Sequence, residues 1–304
     1  MKFKDLKNFT LAILILGISY SVYENITTKD SIAQSDIKIL PYELTGNKNS
    51  EYLLIFLHGF PNTFRLWDKM IKDLESDYYC LNISYPNFSD KIKLKWGMDL
   101  KDIADLIKDT IDQVEQNSQG NKNYKKVLIS HDWGAFFTYL LSQKYENYFA
   151  DIVSMDVGAG IEDSLRAKTS VLAYQGYLIS NFLIGGRIGK FLTRLFVNSV
   201  DTYGLSKEDL ERLDSSWNYP YYHMWRNINY YRNILSNFEV KTPIAYVYGN
   251  QKKFNFHNEK FLNQLKNCAQ CEVHSLDSDH WIMRKPENLK FLVDLIRRRL
   301  KYFK

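Results

Sequence analysis

Residues 128–135, Leu-Ile-Ser-His-Asp-Trp-Gly-Ala, read as a short apolar strand that passes through a small-x-Asp-x-Gly turn into a helical segment. Such a turn needs small flanking residues, because the strand and helix backbones pass closely, and it lifts its central side chain clear of the sheet. The lifted group is Asp132. A serine alkoxide at this place suits acyl transfer, whereas a carboxylate attacks a saturated carbon and is left as an alkyl ester. The same residue also reads as an N-cap for the helix that starts at Trp133, a role Asp fills well.

Three further segments fit the first reading. Leu53–Pro61 is an apolar run ending in His58-Gly59, as a buried parallel strand followed by a turn would be. That turn presents the backbone N–H of Phe60, which with the N–H of Trp133 forms a candidate oxyanion hole. Asp279-His280-Trp281 follows a predicted last strand and precedes a C-terminal helix, which makes His280 the candidate base. Asp151–Asp156 reads as a strand with Asp156 at its C-terminal tip, where catalytic groups of parallel sheets gather. Strands are predicted near 37–44, 51–58, 78–84, 126–131, 151–156, 243–249 and 271–276. The apolar residues at 103, 106, 107, 111 and 114 make a helical stripe over 99–116.

His-Gly-Phe-Pro at 58–61, Ser-His-Asp-Trp-Gly-Ala at 130–135 and His-Trp at 280–281 together resemble the epoxide hydrolase branch of the α/β-hydrolases, with haloalkane dehalogenases as near relatives. The resemblance covers roughly residues 37–300. It implies an α/β-hydrolase fold, a mostly parallel central sheet flanked by helices, with a helical lid inserted at about 158–240. Within that lid Tyr174-Gln175-Gly176-Tyr177 resembles the family's Tyr-Gln-x-Tyr, and Asn229-Tyr230-Tyr231-Arg232-Asn233 resembles its Asn-aromatic-Tyr-Arg-Asn. By those matches Tyr174 and Tyr231 are the donors to the epoxide oxygen; both also read as lid-core aromatics in a chain with 22 Tyr. Tyr221, Tyr222 and Trp225 suggest an apolar tunnel, or ordinary lid packing.

One expected group is out of place. In epoxide hydrolases the acid that orients the base usually follows the strand found here at 243–248, and by count that position holds Lys252. Some haloalkane dehalogenases carry the acid where Asp156 stands, so Asp156 is the expected partner of His280, with Asp277 and Asp279 as weaker candidates. The halide site of that branch is half built: Trp133 is present, but Phe60 occupies the place of the Asn donor. The implied reaction takes a small apolar epoxide and water to a diol through an ester on Asp132, with no metal or cofactor. The alternatives are a dehalogenase-like hydrolase and a non-catalytic binding protein of the same fold, which the absent acid at position 252 would suit.

A chain of 304 residues, 45% hydrophobic, can bury one such domain. The boundaries are 1–36 for an N-terminal signal or signal-anchor segment with linker and 37–304 for the hydrolase domain. Lys2, Lys4 and Lys7 precede an apolar run from Phe9 to Val22, short for a spanning helix, with no convincing small-x-small cleavage site after it. A membrane anchor on a secretory route is therefore expected, a buried N-terminal helix being the other reading. Sequons begin at Asn25, Asn82 and Asn87. Cys80, Cys268 and Cys271 read as free thiols or one structural disulfide. A net charge of +5 indicates no nucleic-acid partner, and Arg297-Arg298-Arg299 reads as a solvated helix end.

Overall fold

Tyr52–Leu57 is a strand whose six residues are all buried, as one at the centre of a parallel sheet must be. It is β2 of a seven-stranded sheet in a computed structural model that describes residues 3–27, 29–118 and 123–302. The others are β1 (Tyr42–Gly46), β3 (Tyr79–Ile83), β4 (Lys125–His131), β5 (Asp151–Met155), β6 (Ile244–Gly249) and β7 (Glu272–Leu276). They lie in the order β1-β3-β2-β4-β5-β6-β7. Only β1 runs antiparallel to its neighbour, and the remaining pairs are parallel.

The helices are α1 (Phe3–Thr27), α2 (Asp68–Leu74), α3 (Leu100–Gln116), α4 (Trp133–Lys144), α5 (Leu165–Ile184), α6 (Gly186–Ser199), α7 (Lys207–Arg212), α8 (Tyr219–Arg226), α9 (Ile228–Ser236), α10 (Glu259–Lys266) and α11 (Pro286–Tyr302). Side chains alternate across β2. Leu53, Ile55 and Leu57 join one core with Ile103, Ile107 and Phe137 of α3 and α4. Leu54 and Phe56 join a second core with Trp67 and with Leu292 and Ile296 of α11. The expected stripe on α3 is buried at Ile103, Ile107, Ile111 and Val114, and Asp99 caps the helix by accepting from the Lys101 N–H. The five helices α5 to α9 form the insert between β5 and β6.

Several expectations are corrected. β1 starts at Tyr42 rather than 37, because the Leu40 N–H is taken by Thr110 Oγ1 at 2.9 Å and Pro41 has no N–H to give a ladder. Among the described residues no helix is long and apolar enough to cross a membrane, so the expected anchor finds no support. The described end of α1 instead docks on the insert. Ser21 Oγ donates to the Gly185 carbonyl at 2.6 Å and accepts from the Ile188 N–H at 3.2 Å, while Asn25 donates to the Phe182 and Leu183 carbonyls. The expected linker is also tied down, with Ser31 and Lys93 exchanging hydrogen bonds.

Two of the three sequons have buried amides, since Asn82 and Asn87 are both 2% exposed and donate to backbone carbonyls. Residues 119–122, in the polar stretch between α3 and β4, lie outside the described residues. Cys268 and Cys271 form a disulfide and Cys80 is a buried free thiol. Arg299 is not on a solvated face: its guanidinium is buried and bonds Asp151 at the start of β5.

Candidate active site

At the end of β4 the chain enters α4 through Asp132, whose φ of +54° and ψ of −120° lie outside the regions open to ordinary L-residues. A residue held there must be over-determined by its surroundings. A Cβ on Gly59 would collide with the Asp132 side chain, and one on Gly134 would collide with the Leu57 carbonyl, so both positions require glycine. The Asp132 carboxylate makes no capping bond to α4, which removes the N-cap reading. Its Oδ2 accepts from the Phe60 N–H at 2.7 Å, and its Oδ1 lies 3.6 Å from His280 Nε2. Burial raises the Asp132 carboxyl above its ordinary range, while His280 and the N–H groups of Trp133 and Phe60 act to lower it.

His280 Nδ1 meets Asp156 Oδ2 at 2.6 Å. Asp156 follows β5 with φ +66° and is fully buried. Its other oxygen accepts from the Gly249 N–H at 3.0 Å and from the ammonium of Lys252, which sits in the loop after β6. Burial pushes the Asp156 carboxyl up, but Lys252 and His280 outweigh it and hold the group at about 2. Burial likewise disfavours the His280 imidazolium, yet Asp156 and Asp132 leave it above its ordinary value, against an opposing push from Lys252. The two weaker acid candidates are engaged elsewhere. Asp277 pairs with Lys285 at 2.6 Å, and Asp279 pairs with Arg284 at 3.2 Å.

His131 backs His280. Its ring lies 4.4 Å from that of His280, and its Nε2 donates to the His280 carbonyl at 2.8 Å. Burial, with repulsion from His280, lowers it to about 3, so it stays neutral.

A cavity of about 120 Å³ opens over the carboxylate, lined by Asp132, Trp133, Tyr174, Gln175, Tyr221 and Phe256 among others. Tyr174 is where the sequence motif put it. Its hydroxyl accepts from Gln175 at 3.2 Å, and Gln175 in turn accepts from the Trp225 indole at 2.7 Å, which leaves the phenolic proton of Tyr174 uncommitted. Tyr231 is not brought to this cavity. Its hydroxyl donates to Asp99 and accepts from the Lys101 N–H at 3.2 Å, with its ring packed on Phe136.

The second cavity tyrosine is Tyr221 of α8, whose ring lies 6.0 Å from Tyr174, 5.1 Å from Trp133 and 5.4 Å from Phe60. Burial raises the Tyr221 hydroxyl well above its usual value, and the nearby Asp132 charge adds to this. From sequence Tyr221 reads as a tunnel wall or as lid packing, because no motif marks which face of α8 meets Asp132.

The loop Tyr85–Ser89 closes the far side of the oxyanion turn. Tyr85 and Phe88 lie 4.4 and 5.2 Å from the His58 ring. Among the described residues no group of three or more His, Cys, Asp or Glu is arranged to hold a metal ion.

A lifted carboxylate, an imidazole paired with a buried acid and a helical insert over the C-terminal strand ends define the site of an α/β-hydrolase, and residues 52–283 match the family described as alpha/beta hydrolase fold. The chain belongs to that family. It is 27% identical to epoxide hydrolase 3 of Mus musculus over 289 residues, 84% of this chain and 74% of that one. It is 24% identical to epoxide hydrolase 1 of Caenorhabditis elegans over 212 residues, 65% of this chain and 50% of the relative. Among solved structures, an epoxide hydrolase of Bacillus megaterium superposes with a TM-score of 0.56 at 19% identity, covering 86% of this chain and 96% of that one. A haloalkane dehalogenase variant of Bradyrhizobium elkanii gives 0.61 at 14% identity, covering 86% and 93%. These structural likenesses concern the fold. The sequence relatives mark the chain as an epoxide hydrolase-like member of the family.

Proposed function

We propose that the protein hydrolyses epoxides to diols through an ester on Asp132. The observation that carries this reading is the pairing of a desolvated carboxylate, one oxygen bound by the Phe60 N–H, with an imidazole 3.6 Å from the other oxygen. That geometry divides the labour between the two oxygens. Oδ1 attacks an epoxide carbon and the ring C–O bond breaks, while Tyr174 and Tyr221 donate to the departing oxygen, which takes a proton from one of them and ends as a hydroxyl, leaving that tyrosine a phenolate. Oδ2 becomes the ester carbonyl oxygen, already at the N–H of Phe60.

His280 then takes a proton from water as the water oxygen bonds to the ester carbon. The tetrahedral oxyanion rests on the backbone N–H groups of Phe60 and Trp133, and each such donor is worth roughly 3 kcal/mol of barrier. Collapse breaks the bond to the alkyl oxygen, which receives the proton from His280; the diol leaves, and the proton left on the Asp132 carboxyl returns to the tyrosine phenolate. A carboxylate in a dry cavity has less water to displace before it bonds to carbon. The names of the relatives support the same substrate class.

The test is a mass spectrum of His280→Gln protein after exposure to an aromatic epoxide, with an alkyl halide run in parallel. The expected result is a mass increase confined to the peptide holding Asp132, which requires epoxide and is absent from Asp132→Asn. Adduct and halide release from the alkyl halide alone would reverse the reading to a dehalogenase. Bound epoxide without any covalent adduct would leave a binding protein.

A further inference from the structure

We infer that Lys252 is a positioning residue for the proposed hydrolysis: clamped on Asp156, it fixes which carboxylate oxygen faces His280 and weakens the hold of Asp156 on the imidazolium. This rests on the function proposed above for its catalytic consequence, though not for its effect on the histidine.

The geometry has three parts. The Lys252 side chain is 9% exposed and that of Asp156 is fully buried, so the ion pair is formed away from water. Its ammonium and the Gly249 N–H share Asp156 Oδ1, which leaves Oδ2 alone to meet His280 Nδ1 at 2.6 Å. Lys252 also lies 5.6 Å over the Phe256 ring, and Phe256 stands 5.7 Å from the His280 ring and lines the cavity.

The charge argument follows from that arrangement. An isolated buried carboxylate would stabilise a proton on its histidine strongly and so favour a persistent imidazolium. With the Lys252 ammonium on the opposite oxygen, His280 faces an ion pair rather than a lone carboxylate. A carboxylate at position 252 would instead crowd Asp156 with a like charge and drive one of the two to protonate. A lysine is therefore the residue type that suits an acid placed at the tip of β5.

The groups facing His280 are Asp132 at the head of α4, Asp156 after β5, Lys252 after β6 and His131 at the end of β4. His257, bonded to Tyr246, stands near both Lys252 and Asp156. Lys252 also acts to lower His131 and His257, so the signals of all three rings are followed when position 252 is changed.

The experiment is an NMR pH titration of the histidine ring protons in the full chain without substrate, comparing the parent with Lys252→Met, Lys252→Gln and Lys252→Arg. The His280 signal is assigned by its loss in His280→Gln. In the two neutral variants the His280 titration should move up by about one pH unit, and Lys252→Arg should stay with the parent. The pH dependence of diol formation should shift by the same amount in the same direction. An unmoved His280 titration in folded Lys252→Met or Lys252→Gln overturns the inference. So does failure of both neutral variants to fold while Lys252→Arg folds, since that marks a structural ion pair only. A shifted titration in a chain whose parent makes no diol would uphold the coupling and remove the epoxide hydrolase reading.

Discussion

The proposed attack needs Asp132 ionised, yet burial leaves its carboxyl raised, with His280 and the Trp133 and Phe60 N–H groups offsetting only part of that push. Asp132→Asn keeps the shape and removes the nucleophile; diol formation from an aromatic epoxide should fall to background, and residual turnover at the parent's rate would exclude the ester route. The two tyrosines over the cavity allow a sharper comparison. Tyr221→Phe and Tyr174→Phe should each slow single-turnover ester formation, by about 100-fold if each donor stabilises the developing alkoxide as an oxyanion donor does. Tyr231→Phe should leave that step at the parent's rate, because its hydroxyl is spent on Asp99; a slow Tyr231→Phe beside a fast Tyr221→Phe would restore the motif-based assignment. The places of Asp132 and His280 in the fold were readable from sequence since turn chemistry and chain order constrain them directly. Tyr231 and Tyr221 were not separable, because a motif fixes a residue's place along a helix but not the side of the cavity to which that helix turns it.

At the scale of elements, the buried Arg299 side chain ties α11 to the sheet at the starts of two strands. The Arg299 guanidinium bonds Asp151 at the start of β5, with Nε to Oδ2 at 2.7 Å, and Glu272 at the start of β7 at 3.0 Å. Its side chain is 4% exposed, whereas the neighbouring Arg298 is 55% exposed and reaches the same Glu272 from outside. Removing one partner of a buried pair strands the other charge. Arg299→Met should therefore cost about 3–5 kcal/mol in urea unfolding, and Arg298→Met should cost about 0–1 kcal/mol. Equal effects at the two positions would mean that the buried pair carries no more than the surface one. Three arginines in a row at a helix end look alike in the sequence, and only the phase of the helix against β5 and β7 distinguishes the one that turns inward. The strands themselves were legible for the opposite reason: β2, β4, β5 and β6 are apolar on both faces, a pattern that short buried parallel strands share and exposed elements do not.

For the whole molecule, the buried titratable groups set opposing slopes of stability against pH. Burial holds His58 at about 4, His131 at about 3 and His257 at about 4, all below the 6.5 of an unfolded chain. For such groups the unfolded state gains protons first as pH falls, so stability present above 6.5 is lost progressively from there toward the folded values. Each contributes up to about 1.4 kcal/mol per pH unit across its own window. Asp156, held at about 2, adds a loss of the same sign at lower pH, below its ordinary 3.8. His280 runs the other way. Its folded value is raised above 6.5, so its contribution is complete below 6.5 and is lost as pH rises through the folded value. The proposed hydrolysis needs His280 neutral, and so gains over the range where that stabilising contribution fades. The melting temperature, followed at constant ionic strength from pH 9 to 4, should peak near 6.5, while the rate of diol formation should still be rising on the alkaline side of that peak. A melting temperature that stays level between pH 6.5 and 4.5 would show that the three buried histidines open to solvent before they charge, and the separation of the two optima would lose its cause.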